Sequence, residues 1–154
     1  PVNAYLPDEY IRDGFQKIQM YKRVKAIDSV EDYTELVDEM TDRFGDLPLE
    51  ADLLLRIARI KAWGRKAGVE SIKKQQHQIE VRMSPEGTAE TDGAKLVADS
   101  MQFGRAVGFS MENSQLVLTV DERHTGQKTE FDILEEIMQL LQSSKKETAV
   151  IDSV

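Results

Sequence analysis

The sequence predicts an α+β fold in a single domain: a half of three helices, packed with a second half of β-β-α-β-β-α order. Up to Gly68, apolar side chains recur at helical spacing and are interrupted by helix start and stop signals. After Gly68 the pattern changes to short segments with alternating apolar residues, as at 78–84, which is typical of strands. Helical periodicity then returns twice, over 90–104 and 129–144.

The first helix is predicted over residues 9–27, and the segment Val2–Leu6 before it is expected to form an edge strand. Pro7 ends that strand because proline cannot donate to a strand ladder. Apolar side chains then recur near helical spacing and are expected to face the core: Ile11, Phe15, Ile18, Tyr21 or Met20, and Val24.

Two further helices are predicted over 30–44 and 48–67. Ser29 begins the first with the pattern Ser-Val-Glu-Asp, close to a capping box, and Gly45 stands just past its end. Pro48 opens the second, in which acids come early and bases late, as the helix dipole favours. One face of helix 30–44 carries an apolar stripe that is predicted to lie in the core: Tyr33, Leu36, Val37, Met40 and Phe44.

The second half is predicted to contain four strands, at 69–74, 78–84, 106–112 and 115–121. Residues 84–88 (Ser-Pro-Glu-Gly-Thr) are predicted to form a loop, 90–104 a helix and 129–144 a last helix. The side chains of helix 90–104 that are expected to face inward are Leu96, Val97, Ser100, Met101 and Phe103.

We therefore expect one domain over 3–145, with a helical part at about 8–68, a mixed part at about 69–145, and a flexible tail over 146–154. The chain begins at Pro1 without Met, so we expect it to be part of a longer protein, and we expect this piece to be monomeric.

The composition, 40% hydrophobic and 31% charged over 154 residues, is typical of a soluble globular protein. No apolar run is long enough to span a bilayer, and we expect a cytoplasmic location without membrane contact. The absence of Cys excludes disulfides, a thiol nucleophile and thiolate metal sites. The net charge of −8 opposes non-specific binding to nucleic acid.

The sequence offers no motif for catalysis, metal binding or a cofactor. It has no Gly-x-x-x-x-Gly-Lys-Ser/Thr phosphate loop and no Gly-x-Ser-x-Gly elbow. His77 and His124 are predicted to lie in separate loops, and neither has a second His at the spacing of a zinc site. The acidic run that begins at Asp28 lacks the mid-loop Gly of a calcium loop.

The most unusual feature is the acidity of residues 31–48, which contain seven acidic residues and one basic residue, Arg43. Helical spacing places Glu35, Glu39 and Asp42 within about 60° of arc, opposite the apolar stripe. Two interpretations stay open from the residues alone: an ordinary solvated face, or a docking surface for a basic partner.

A second candidate site is the basic third helix, where Arg56, Arg59, Trp63 and Lys66 are predicted to share a face. Bases around an aromatic ring can stack on single-stranded nucleic acid. A nucleic-acid-binding accessory domain is therefore the alternative function.

Four segments of the chain resemble the C-terminal (TRCF) module of bacterial transcription-repair coupling factors, the Mfd family. In order they read AYLPDEYI from Ala4, YKR from Tyr21, ELVDEMTDRFGDLP from Glu35 and LLLRIARIKAWGRKAGV from Leu53. The resemblance is close over about residues 3–70, and the second half has the expected length and element order.

The resemblance implies a non-catalytic regulatory module without cofactors. In the family, the parent is an ATP-driven, superfamily 2 DNA translocase that removes stalled RNA polymerase from DNA and recruits UvrA for nucleotide-excision repair. The module packs against the UvrA-binding module of the same chain, masks UvrA recruitment and restrains the motor. Glu39 and Asp42 match the family positions at that contact, with Glu35 and Arg43 beside them.

Overall fold

The computed structural model describes residues 3–147 of the chain. Within that range the helices are α1 (Gly14–Lys25), α2 (Val30–Phe44), α3 (Leu49–Ala67), α4 (Pro85–Glu90), α5 (Gly93–Ser100) and α6 (Glu130–Ser143), with two 3-10 helices at Met101–Ala106 and Glu122–His124. The strands are β1 (Val69–Gln75), β2 (Gln78–Met83), β3 (Val107–Glu112) and β4 (Gln115–Asp121). This mixed architecture confirms the predicted α+β class.

Contacts divide the chain into two compact units, a helical unit (Pro1–Trp63) and a sheet unit (Gly64–Val154), with the division inside α3. The core of the helical unit is formed by Leu6, Ile11, Met20, Val24, Ile27, Leu36, Met40, Ala51, Leu55 and Ala62. The prediction of one domain over 3–145 stays a prediction.

The first helix starts later than predicted. Asp13 caps α1 by accepting a hydrogen bond from the Phe15 amide at 2.8 Å, and residues 8–10 form a turn instead of helix. Two side chains that were predicted to face the core are on the surface: Phe15 is 70% exposed and Ile18 is 56% exposed. The periodicity identified a helix with two faces but not which of its apolar residues the neighbouring helices cover.

The predicted edge strand is also wrong over its described part, residues 3–6, which contain no strand. The amide of Tyr5 instead donates to the carbonyl oxygen of Glu50 at 3.2 Å, and the amide of Leu6 donates to the hydroxyl of Tyr21 at 2.8 Å. The segment is therefore fixed by helices of its own unit.

The four strands form one antiparallel sheet in the order β1-β2-β4-β3. Ile72, Val81, Leu118 and Phe109 are paired in register across all four strands. Five side chains of α6 are buried, namely Ile133, Leu134, Ile137, Met138 and Leu141, and α6 contacts β4. The observed strand limits differ by at most one residue from the predicted ones.

The segment between β2 and β3 is more helical and more broken than predicted. Ser84 accepts a hydrogen bond from the Gly87 amide at 2.9 Å and caps α4, so the predicted loop at 84–88 is wrong. The predicted helix over 90–104 is split, because Asp92 caps α5 and a 3-10 helix follows it. Met101, predicted to face inward, is 76% exposed.

A backbone contact fixes α4 against the end of α3. A Cβ atom added at Gly87 would lie 2.4 Å from the carbonyl oxygen of Gly68, closer than real Cβ contacts come. Gly68 itself has a φ of 92°, in the left-handed region that favours glycine. Only glycine at both positions allows the two backbones to approach this closely.

The last described residues return to the start of α5. The Asp92 amide donates to the Ser144 carbonyl at 2.7 Å, and the Lys146 amide donates to the Glu90 carbonyl at 2.7 Å. The ammonium of Lys145 bonds to the carbonyl oxygen of Ala67, at the end of α3. Residues 148–154 of the predicted tail lie outside the described part of the chain. No helix within residues 3–147 combines the length and apolar character needed to cross a membrane.

Candidate functional site

The outer side of α2 carries an acidic stripe, which we define as Glu31, Glu35, Asp38 and Asp42. All four residues are exposed. Their spacing of four, three and four positions keeps them within about 60° of arc and spreads them over about 16 Å of helix. None of the four forms an ion pair within residues 3–147. Four like charges therefore face solvent without a counter-ion in the described structure.

Glu39 belongs to a different environment, about 70° around the helix from the middle of the stripe. Its carboxylate lies 2.5 Å from Nη1 of Arg23 on α1 and 3.0 Å from Nη1 of Arg43 on α2. The hydrogen bond from Arg23, and next the one from Arg43, lower the pKa of Glu39 below its ordinary value. The negative charge of Glu39 is thus already balanced by two arginines inside the helical unit, and its side chain is 36% exposed.

The end of α2 is held by an aromatic contact. The rings of Tyr10 and Phe44 meet edge to face with centroids 5.8 Å apart, and the Tyr10 hydroxyl donates to the Gly45 carbonyl at 2.8 Å. Burial, and next the charge of Asp46, raise the pKa of Tyr10. The guanidinium of Arg43 covers the Phe44 ring at 4.9 Å. This packing sets the direction in which the acidic stripe points.

The predicted interface residues are therefore divided by the structure. Glu35 and Asp42 share the acidic stripe, whereas Glu39 and Arg43 pair with each other beside it. Sequence reasoning missed the stripe members Glu31 and Asp38, although the same periodicity would have found them. It could not have found the Arg23 contact, which depends on how α1 packs against α2. That these residues form an interface stays a prediction.

The alternative site on α3 contains a stacked arginine. The guanidinium carbon of Arg59 lies 4.2 Å from the centroid of the Tyr33 ring and 4.7 Å from that of the Trp63 ring. Arg59 is thus engaged with Trp63 and with Tyr33 of α2, while Lys66 falls beyond the division between the units. Binding of nucleic acid by Arg56, Arg59, Trp63 and Lys66 stays a prediction.

A second cluster of charges lies at one end of the sheet. Lys74 contacts Glu130 at 2.6 Å and Glu122 at 3.1 Å, and Nδ1 of His77 lies 3.0 Å from Glu122. The hydrogen bond to Glu130 is the main cause that raises the pKa of Lys74, and His77 is the main cause that lowers the pKa of Glu122. The charges satisfy one another, which indicates a structural network.

Beside this cluster, Arg123 makes a two-pronged contact with Asp121, with N–O distances of 3.0 and 2.8 Å. That contact lowers the pKa of Asp121 strongly. His77 lies in the β1–β2 turn, as predicted, whereas His124 ends a 3-10 helix, with Nε2 4.0 Å from Asp121. Over the described range, no group of three or more potential metal-ligating side chains has the arrangement of a metal site.

The chain resembles known proteins over most of its length. A family model described as the TRCF domain matches residues 1–94. The chain belongs to the TRCF domain family. It is 37% identical over 147 residues to the transcription-repair-coupling factor of Bacillus subtilis (strain 168), and 33% identical over 143 residues to that of Staphylococcus haemolyticus (strain JCSC1435). These matches cover 96% and 93% of this chain, and each covers 12% of the relative.

Solved structures agree with the family assignment. The crystal structure of the C-terminal domain of a transcription-repair coupling factor superimposes with a TM-score of 0.80 at 26% identity. The match covers 94% of this chain and 89% of that one. As a TRCF domain the chain has no catalytic function of its own, which confirms the prediction that it is not an enzyme. The chain spans about an eighth of the length of the curated relatives that it matches.

Proposed function

We propose that this TRCF domain is a non-catalytic autoregulatory module of a transcription-repair coupling factor. It docks through its acidic stripe on the UvrA-binding module of the same parent chain, in the cytoplasm. The closed state masks UvrA recruitment and restrains the ATP-driven translocase that removes stalled RNA polymerase from DNA. The observation that carries the proposal is the row of four exposed, unpaired carboxylates along α2.

The acidic stripe suits a partner with a complementary basic surface. Its charges stand on a helix whose opposite side is packed, with Leu36 and Met40 buried at 2% and 0% exposure. A partner therefore binds a preformed row of charges, and no loop of this chain has to become ordered on binding. Such rows steer association and select against partners of the same sign.

The strength of the contact fits a switch. Exposed ion pairs are worth about 0–1 kcal/mol each, so four of them supply at most a few kcal/mol. A closed state favoured by that amount holds most molecules but opens when a competing ligand binds. A contact built on a large apolar patch would open less readily.

Glu39 and Asp42 contribute differently to this contact. A basic partner must compete with Arg23 and Arg43 for Glu39, since both arginines already bond to its carboxylate. Asp42 has no such resident counter-ion among residues 3–147 and is free to pair. We therefore assign the larger share of the docking energy to Asp42 and its neighbour Asp38.

The experiment compares two variants of the full-length parent protein. Asp38→Asn with Asp42→Asn removes two charges from the stripe, and Glu9→Gln with Glu112→Gln removes two exposed charges elsewhere. If the closed state holds about 90% of molecules, opening it raises UvrA affinity by up to about tenfold. We expect tighter UvrA binding and faster ATP hydrolysis in the stripe variant alone, measured by binding titration and an ATPase assay. Equal UvrA affinity in both variants, with folding intact, would contradict the proposal.

A further inference from the structure

The outer face of α1 is apolar at one end and basic at the other. Phe15 and Ile18 are 70% and 56% exposed, and Lys22 and Lys25 are exposed one and two turns further along. The spacing of three, four and three positions places these four side chains within about 80° of arc. We call them the cationic–apolar face.

This face lies opposite the side of α1 that packs into the core. Met20 and Val24, on the other side of α1, are 2% and 4% exposed. Burying a Phe or Ile side chain stabilises a folded protein, so a helix that leaves two of them in water forgoes a substantial gain. Exposed apolar residues in a contiguous group mark interaction sites more often than isolated ones do.

Two more exposed apolar side chains lie on the side of the unit that α1 shares with the start of α3. On α1, the hydroxyl of Tyr21, one turn after Ile18, accepts a hydrogen bond from the amide of Leu6. The amide of Tyr5, which precedes Leu6, donates to the carbonyl of Glu50 on α3. Tyr5 is 45% exposed, and Leu49, next to Glu50, is 69% exposed. The helical unit therefore exposes these two apolar side chains in addition to Phe15 and Ile18.

The charges of the face are available to a partner. Neither Lys22 nor Lys25 forms an ion pair or a side-chain hydrogen bond in the described part of the chain. By contrast, Lys17, on the inner side of α1, pairs with Asp8. The face therefore offers unpaired positive charge beside apolar anchors, in a chain whose net charge is −8.

We propose that the cationic–apolar face docks an acidic amphipathic segment of another protein. Phe15 and Ile18 would accept apolar side chains spaced one helical turn apart, and Lys22 and Lys25 would pair with Asp or Glu beside them. Helix-in-groove recognition uses anchors with this spacing, and charge complementarity fixes the direction of the bound segment. This surface is separate from the acidic stripe and does not depend on the function proposed for it.

The charge distribution favours a protein segment over other occupants. A nucleic-acid strand is a continuous polyanion and would be repelled by the acids of α2, which the Arg23–Glu39 contact shows to be close to α1. A second copy of this chain offers carboxylates on its own α2, but Leu36 and Met40 of that helix are turned into the core. A short acidic helix with an apolar face supplies both carboxylates for Lys22 and Lys25 and apolar side chains for Phe15 and Ile18.

The test uses the whole 154-residue chain and a fluorescein-labelled helical peptide of about five turns, with Leu at one-turn spacing and Glu elsewhere. A matched peptide carries Lys in place of Glu, and single-stranded oligothymidine serves as competitor. Binding is followed by fluorescence anisotropy, and folding of each variant by circular dichroism. The variants are Phe15→Ser and Lys22→Glu, and the control is Met101→Ser, which changes a residue of 76% exposure in the sheet unit.

We expect the acidic peptide to bind, with affinity lowered by at least about tenfold in Phe15→Ser and Lys22→Glu and unchanged in Met101→Ser. The lysine peptide should bind at least about tenfold more weakly than the acidic one. Any of four results would overturn the proposal: no binding of the acidic peptide, equal binding of the lysine peptide, displacement by oligothymidine, or equal losses in Met101→Ser. Self-association of the chain that blocks the peptide and is lost in Phe15→Ser would replace the proposed partner with a second copy.

Discussion

Removing the contact between Arg23 and Glu39 should cost the helical unit little stability. The two side chains are 43% and 36% exposed, so their pair belongs to the surface class, worth about 0.2–1 kcal/mol by double-mutant cycle. Arg43, at the i,i+4 position, adds about 0.3–0.5 kcal/mol to Glu39 alone. We expect Glu39→Gln to cost no more than about 1.5 kcal/mol, and Arg23→Gln no more than about 1 kcal/mol.

The coupling between the two residues should depend on pH in a defined direction. The pKa of Glu39 is lowered from its ordinary 4.5, first by Arg23 and next by Arg43. A carboxyl group whose pKa is lower in the folded state stabilises it above the unfolded pKa, and that stability is lost as the pH falls through the folded pKa. The coupling should thus be complete at neutral pH and disappear well below pH 4.5.

The assay is urea denaturation of the wild-type chain, the two single variants and the double variant, followed by circular dichroism and by the fluorescence of Trp63, the one Trp of the chain. Lys95 and Asp99 on α5, an i,i+4 pair at 2.9 Å, provide a second cycle for comparison. A coupling of zero at neutral pH, or one that persists in acid, would refute the assigned ion pair. A coupling of several kcal/mol would mean that Glu39 is locked into the fold and cannot be offered to a partner.

Three further predictions concern stability. Gly87→Ala should destabilise the chain by about 1–3 kcal/mol or more, because the new Cβ would lie 2.4 Å from a backbone oxygen. Gly93→Ala, where a new Cβ would have no atom within 4 Å, should be neutral or stabilising in a thermal melt. Met40→Ala, at 0% exposure, should cost about 2–5 kcal/mol in urea and lower the population of folded helical unit. Truncation after Ser143 should lower the melting temperature because it removes the backbone hydrogen bonds to residues 90 and 92, whereas truncation after Glu147 keeps them. Equal melting temperatures of the two truncated chains would contradict this prediction.

Where local signals coincide, the sequence was enough to predict the fold. Helix α2 begins and ends at the predicted residues because Ser29 caps it and Gly45 adopts a φ of 90° at its end. Strands β3 and β4 were found because alternation and a short turn agree there. These signals act over a few residues, so a single sequence displays them fully.

The errors arise where local signals were overlooked or tertiary contacts decide. Asp13 and Ser84 are cap residues visible in the sequence, and reading them as such would have moved the start of α1 and identified α4. The exposure of Phe15 and Ile18 was not visible, because periodicity predicts two faces of a helix and not which face its neighbours cover. The same limit applies to the partner of Glu39, since Arg23 is distant in sequence and its approach depends on packing.

The helical unit presents two surfaces of opposite chemistry, and salt distinguishes their modes of binding. The acidic stripe holds a partner by exposed charge alone, and such pairs weaken as added salt shortens the Debye length from about 8 Å at physiological ionic strength to about 3 Å at 1 M. The cationic–apolar face adds the burial of Phe15 and Ile18, which salt does not weaken. A contact made through the stripe should therefore open as salt rises, while one made through the face should lose its charge selectivity and keep part of its affinity. A closed state that resisted high salt would contradict docking through the acidic stripe.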